Sequence, residues 1–223
     1  MRIRVELIAE RAITLPKSYN GYLQGFVYSM LNPHAAIWLH ENGFQLKEKQ
    51  FRLFTFSEIL ERANIKNNNF IFPVQISFLI SSPVDWILEQ VAHNTITSPA
   101  LKLGHNNVSI SAVSILPSFK TSENNINIKA ITPIEVHTTF ESRNKKKTYY
   151  FTPFEEEFSE RINENLQNKW SAFYNKKCPY AIAIRPLFKG EKNKRIRSFI
   201  KDKDAPFRIN GWVGRYEISG APE

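Results

Sequence analysis

The chain has 223 residues, of which 42% are apolar and 13% aromatic, a composition that is globular and not that of a disordered chain. A single cysteine, Cys178, excludes an internal disulfide and a cysteine-based zinc site, and fits a reducing compartment. The formal net charge of +9 points to an anionic partner.

That charge is unevenly placed. Residues 1–140 hold 12 Lys/Arg against 10 Asp/Glu, whereas residues 141–223 hold 18 against 11. Residues 185–215 alone carry ten basic and three acidic side chains. The plain alternative is a solubilising surface.

In chain order, Ile3, Val5 and Leu7 alternate with Arg2, Arg4 and Glu6, which predicts a half-buried strand over 2–8 and not a signal peptide. Residues 20–43 predict two helices joined at Asn32-Pro33. Leu23, Phe26, Val27, Met30 and Leu31 recur at helical spacing as one buried stripe. Pro33 opens the second helix, where a missing N–H costs nothing, and Asn42-Gly43 ends it in a left-handed cap. Ala35, Ala36, Trp38 and Leu39 form its apolar side. Tyr28 and His40 fall off both stripes, so core burial does not account for them.

A second strand is predicted over Phe51 to Ser57. The alternation of Phe70, Phe72, Val74, Ile76, Phe78 and Ile80 predicts one long third strand. This apolar run contains Pro73, Gln75 and Ser77 and is too short to span a bilayer. Ser82-Pro83 opens a helix carrying Val84, Ile87, Leu88 and Val91. A strand with Val108 and Ile110, bulged before Val113 and Ile115, closes the unit. The order β-α-β-β-α-β is ferredoxin-like, a plan shared by RNA-recognition folds, and by itself fixes no function.

Pro117 to Asn127 is polar and reads as a linker. Beyond it, Ile126 to Phe140 and Lys145 to Phe151 predict a hairpin turned at Ser142-Arg143-Asn144. Thr152-Pro153-Phe154-Glu155 is a capping box with proline at the first helical position, and Glu155, Glu156 and Glu157 suit the positive end of that helix better than any catalytic role. Phe154, Phe158, Ile162, Leu166 and Trp170 make its predicted core stripe. Strands follow near 180–187, 194–201 and 207–218. The expectation is an α+β chain of two tandem ferredoxin-like domains. Residues 1–118 form the first unit and residues 126–223 a basic second unit.

Several motifs resemble one family. Tyr22-Leu23-Gln24-Gly25-Phe26-Val27-Tyr28, Leu39-His40-Glu41 and Leu53-Phe54-Thr55-Phe56-Ser57 are similar to the N-terminal signature of the CRISPR-associated endoribonucleases, which cut precursor CRISPR RNA within its repeats. Thr132-Pro133-Ile134-Glu135-Val136, Asn165-Leu166-Gln167-Asn168-Lys169-Trp170 and Gly211-Trp212-Val213-Gly214 continue the match over nearly the whole chain. The resemblance implies two ferredoxin-like halves and CRISPR repeat RNA as partner. It also implies an RNA-contacting helix and glycine-rich loop after the Gly-x-x-Gly stretch, where this sequence ends at Ala221-Pro222-Glu223. The second half is therefore expected to expose apolar sheet surface and an open strand edge, inviting self-association as a homodimer.

A phenol, an imidazole and a cation close in sequence are the parts needed to cleave RNA without a metal. The 2′-hydroxyl attacks the adjacent phosphorus in line. A base takes its proton, an acid protonates the departing 5′-oxygen, and a cation stabilises the added charge. The resemblance places the catalytic histidine on His40 and the tyrosine on Tyr28, and leaves the cation open among Arg52, Lys47 and Lys49. The plainer alternatives are a helix-capping His40, an ordinary half-buried Tyr28, and cations that line a strand edge. His34, His93, His105 and His137 are scattered, so neither a metal site nor a cofactor is expected. RNA phosphates are expected on Lys49, Lys192, Lys194, Arg195, Arg197, Lys201, Lys203 and Arg208, with Gly211 and Gly214 allowing close backbone approach. The functional expectation is a cytoplasmic, metal-independent endoribonuclease that leaves a 2′,3′-cyclic phosphate and a 5′-hydroxyl. The competing expectation is a non-catalytic repeat-RNA-binding homologue. A small-molecule-binding regulatory domain explains neither the charge asymmetry nor the motifs.

Overall fold

A computed structural model describes residues 1–97, 101–142, 145–199 and 207–221. The chain divides into two compact units, Met1–Phe119 and Lys120–Glu223.

The first unit runs β1 (Arg2–Ile8), β2 (Ile13–Pro16), α1 (Asn20–Ser29), α2 (Pro33–Glu41), β3 (Phe44–Leu46), β4 (Lys49–Phe51), β5 (Thr55–Phe56), β6 (Asn64–Lys66), β7 (Asn69–Phe72), β8 (Gln75–Ser81), α3 (Asp85–Thr97), β9 (Leu101–Leu103) and β10 (Asn106–Ile115). Its main sheet has the order β5-β8-β1-β10-β9. All of its pairs are antiparallel, which is the ferredoxin-like interleaving. The period-2 pattern of β1 buries Ile3, Val5 and Leu7, and β8 buries Ile76, Phe78 and Ile80. The helices bury Leu23, Phe26 and Val27 from α1 and Ile87, Leu88 and Val91 from α3. Phe26 meets Phe78 edge-to-face at 6.1 Å. The predicted bulge is Ser111: the register passes from Glu6↔Ala112 to Leu7↔Ile110, and the Ser111 hydroxyl donates to the Glu6 carbonyl at 3.2 Å.

Three expectations for this unit are corrected. The strand predicted over 51–57 is broken at Leu53, whose φ of 51° no strand accommodates. The long strand over 70–80 is broken at Pro73, which has no N–H for a ladder; β7 pairs with β2 and β6 in a separate three-stranded sheet, while β8 enters the main sheet. Trp38, placed on the apolar side of α2, is 40% exposed and packs laterally on Phe44 and Trp86.

The second unit runs β11 (Asn125–Ile134), β12 (His137–Ser142), β13 (Lys145–Tyr150), α4 (Glu156–Tyr174), β14 (Ile182–Pro186), β15 (Lys194–Phe199) and β16 (Phe207–Gly220). The sheet order is β11-β16-β14, with β15 pairing the first half of β16. Strand, helix and two strands thus sit as first, third and second, again a ferredoxin-like order. Phe158, Trp212 and Tyr216 are the large buried side chains of its core, and Phe158 stacks on Tyr216 at 6.4 Å.

The hairpin predicted over 126–151 is also corrected. β11 pairs with β16, and only β12 pairs with β13, from His137↔Tyr150 to Ser142↔Lys145. The break follows a register shift between Ala130 and Ile134, where Pro133 removes a donor and Gly211 approaches so closely that a Cβ there would lie 2.7 Å from the Pro133 Cβ. The regular helix begins at Glu156, later than the capping box implied. The Glu155 carboxylate nonetheless accepts from the Thr152 N–H, one arm of that box, and from the Tyr149 hydroxyl. Burial pushes the Glu155 carboxyl up, but these donors outweigh it and hold the group below the usual carboxylate range. The predicted stripe of α4 is only part core. Phe158 is buried, but Phe154, 49% exposed, precedes the helix, and Leu166 is 45% exposed because residues four apart rotate by about 40° per step around a helix. No helix among the described residues is long and apolar enough to cross a membrane.

Candidate functional site

The candidate site is built by α1, α2 and the strand pair that follows them. Asn32 sits in extended backbone before α2, and its side-chain oxygen accepts the Ala35 N–H at 2.8 Å, so Pro33 starts the helix with its donors capped. Leu39, fully buried, pins α2 to the core and leaves His40 exposed on the next position around the helix. Gly43 then ends α2 with a φ of 55°, its N–H donating to the Trp38 carbonyl at 2.9 Å. A Cβ at this position would sit 2.6 Å from the Phe51 carbonyl oxygen, so the return of β3 and β4 against α2 requires glycine.

That return brings Gln50 and Arg52 back to the helix. β3 and β4 pair from Phe44↔Phe51 to Leu46↔Lys49, turning through Lys47 at a φ of 54°. Arg52 Nη2 donates to the His40 carbonyl at 2.7 Å, and Gln50 Nε2 approaches the same oxygen at 3.4 Å. The open carbonyl at the end of α2 is thus satisfied by Arg52 and Gln50. The Tyr28 ring lies 5.8 Å from the His40 ring and 5.6 Å from the Phe54 ring, edge-on to both. The Tyr28 hydroxyl is buried and has no hydrogen-bond partner among the described residues.

Of the residues singled out from sequence, Tyr28, His40 and Arg52 come together here. Lys47 is exposed at the turn between β3 and β4, and Lys49 is exposed on β4. Phe54 was not singled out. Its signal was its place in the Leu-Phe-Thr motif beside Arg52.

The basic residues of the second unit lie on or next to β15 and β16. Lys192, Arg195 and Arg208 are exposed, while Lys194 and Arg197 are half-buried. Lys194 Nζ lies 5.9 Å from the Trp212 ring centre and 3.4 Å from Glu191. Arg195 Nη1 donates to the carbonyls of Lys192 and Lys194 at 2.9 and 2.8 Å. Lys201 and Lys203 lie outside the described residues. The space beside Gly211 and Gly214 is filled by the protein itself: a Cβ on Gly214, whose φ is 128°, would meet the Phe188 ring at 2.8 Å. Close internal packing therefore accounts for glycine at both positions. Among the described residues, no three His, Cys, Asp or Glu side chains gather as metal ligands would.

The fold class is thus α+β, built from ferredoxin-like units. Residues 116–223 match the family model for CRISPR associated protein Cas6, C-terminal. The chain is 28% identical over 223 residues to "CRISPR-associated endoribonuclease Cas6 1" of Methanocaldococcus jannaschii, covering 98% of this chain and 84% of that protein. It is 27% identical over 206 residues to "CRISPR-associated endoribonuclease Cas6" of Pyrococcus furiosus, covering 88% and 74%. A solved structure of "CRISPR associated protein Cas6" superposes with a TM-score of 0.73 at 26% identity, covering 99% of this chain and 87% of the other. Over nearly its whole length the chain is thus similar to Cas6 proteins, and residues 116–223 carry the match to the Cas6 C-terminal family model.

Proposed function

We propose that this chain is a metal-independent endoribonuclease that cuts precursor CRISPR RNA within its repeats, leaving a 2′,3′-cyclic phosphate and a 5′-hydroxyl. The match of residues 116–223 to the Cas6 C-terminal model and the similarity to proteins named CRISPR-associated endoribonucleases support RNA cleavage. The observation that carries the mechanism is the Tyr28 phenol packed 5.8 Å from an exposed His40 imidazole, with Arg52 bound to the His40 carbonyl.

In this reading the RNA 2′-oxygen attacks phosphorus while the bond from phosphorus to the 5′-oxygen breaks. One proton leaves the 2′-hydroxyl and one reaches the 5′-oxygen. His40 is exposed, so its ring is open to substrate and serves as a proton carrier, a role that contributes ~10²–10⁴-fold. The Tyr28 O–H is buried and no protein group among the described residues occupies it, so it meets the RNA once the bound strand displaces the atoms that cover it. Arg52 spends one N–H on the helix carbonyl; a guanidinium has five, and the others can meet the phosphate oxygens as charge builds, a contact that contributes ~10²–10³-fold. Lys192, Lys194, Arg195, Arg197 and Arg208 would hold phosphates, giving affinity and register without reading bases.

The test is incubation with a matching repeat RNA in EDTA, beside the same RNA carrying a 2′-deoxy sugar just 5′ of the cut. Cleavage is expected to persist in EDTA and to fail on the deoxy substrate, and His40→Ala should lose far more rate than binding. Loss of cleavage in EDTA with the deoxy RNA still cut would overturn the mechanism. Tight binding without any cleavage would make the chain a non-catalytic repeat-RNA binder.

A further inference from the structure

The far end of α4 carries an aromatic cluster that the proposed chemistry does not use. Trp170 lies 4.5 Å from Tyr174, one turn on, and 6.1 Å from Tyr180, which returns after the helix. Neither tyrosine is core: Tyr174 is 53% and Tyr180 39% exposed. The helix stops because Asn175 adopts a left-handed conformation, with φ 53° and ψ 36°. The exposed Lys176 and Lys177 follow at once. Lys176 Nζ stands 5.5 Å from the Trp170 ring centre and 6.0 Å from that of Tyr174, so the cation is held against the aromatic faces.

Solvent-facing rings with cations at their margin are the two components of a sequence-tolerant site for single-stranded nucleic acid. The rings stack bases, whose π-faces are alike enough to be interchangeable, and the lysines meet the phosphates between them. An apolar protein partner would gain from the rings but would have to desolvate Lys176 and Lys177 without a counter-charge. We infer that Trp170, Tyr174 and Tyr180, with Lys176 and Lys177, form a stacking site for unpaired RNA on the second unit, built from none of Tyr28, His40 and Arg52. The inference shares the RNA-binding part of the proposed function and is independent of cleavage.

The probe is a fluorescein-labelled oligouridine of about 10 nucleotides, the span of one such site, followed by anisotropy with the full chain. Tyr174→Ala with Tyr180→Ala should raise its Kd by about 5- to 150-fold for each base that loses its stacking partner. Tyr174→Phe with Tyr180→Phe, which keeps the rings, should bind like the parent. His40→Ala should bind oligouridine like the parent. Unchanged oligouridine affinity in the alanine variant, with circular dichroism matching the parent, would overturn the proposal. So would an alanine variant whose only change is dissociation of a dimer in sedimentation, because the occupant would then be a second copy. Loss of oligouridine affinity in a chain that cuts no RNA at all would leave this site standing and remove the nuclease reading.

Discussion

Consider replacing Tyr28 by phenylalanine. The ring and its edge-on contacts to Phe54 at 5.6 Å and His40 at 5.8 Å are kept, and only the hydroxyl is lost. That hydroxyl is buried and unbonded among the described residues, and burying such a group without a partner costs about 1–3 kcal/mol. Its removal should therefore raise the stability of the first unit by about 1 kcal/mol, or about 3–5 °C in Tm for a unit of this size. The same change removes a proposed proton donor and should slow RNA cleavage by about 10²-fold or more. Stability and activity thus move in opposite directions from one deleted oxygen. Urea denaturation and single-turnover cleavage of repeat RNA measure the two effects on the same preparation. A Tyr28→Phe protein that is less stable and cuts at the parental rate would refute the reasoning, because the hydroxyl would then be bonded in solution and structural.

Neutralising Lys194, Arg195 and Arg197 to alanine should weaken RNA binding and lower the log–log salt slope by about 2 on single strands, at about 0.7 per phosphate contact. An unchanged slope would leave this run a solvated face. Glu155 should give the fold an acid-side dependence. Its folded carboxyl lies below the usual range, so its contribution is present above the unfolded value of about 4.3 and fades as pH falls through the folded one. Glu155→Gln should flatten urea midpoints measured from about pH 5 to pH 3, by only a few tenths of a kcal/mol because its partner Tyr149 is 45% exposed and solvent screens the pair. Equal slopes in both proteins would show that Tyr149 and Thr152 do not favour its charged form.

What the sequence made legible was period and punctuation. Alternation in β1, the stripe of α1, Pro33 and Gly43 gave those elements almost to the residue, because each rests on one local rule. The failures came where a single residue overruled a pattern. Leu53 and Pro73 each cut an otherwise credible strand, the first by a backbone angle that composition does not announce. In α4, i, i+4 spacing was extended past the point where helical drift carries Leu166 out of the core. Helical arithmetic on either side of Asn32-Pro33 put Tyr28 and His40 off the apolar stripes, and only the family resemblance put them in one site. That Phe54 would complete the packing, and that the Tyr28 hydroxyl would be buried without a partner, depends on how β3 and β4 fold back, which no spacing encodes.

The bond from Arg52 to the His40 carbonyl spans only 12 residues, whereas Arg4 reaches Ser77 across 73 and Ser111 reaches Glu6 across 105. Closing the shorter loop costs about 1.6 kcal/mol less chain entropy than closing the 73-residue one. The consequence is one of assembly order. α2 and the β3–β4 return should come together before β1 finds its partners in β8 and β10, so that the cluster is a local structure onto which the sheet later closes. Pulse-labelled hydrogen exchange during refolding would then protect the amides of α2 and β4 ahead of those of β1, and the reverse order would mean that the sheet must form first to hold Arg52 in reach.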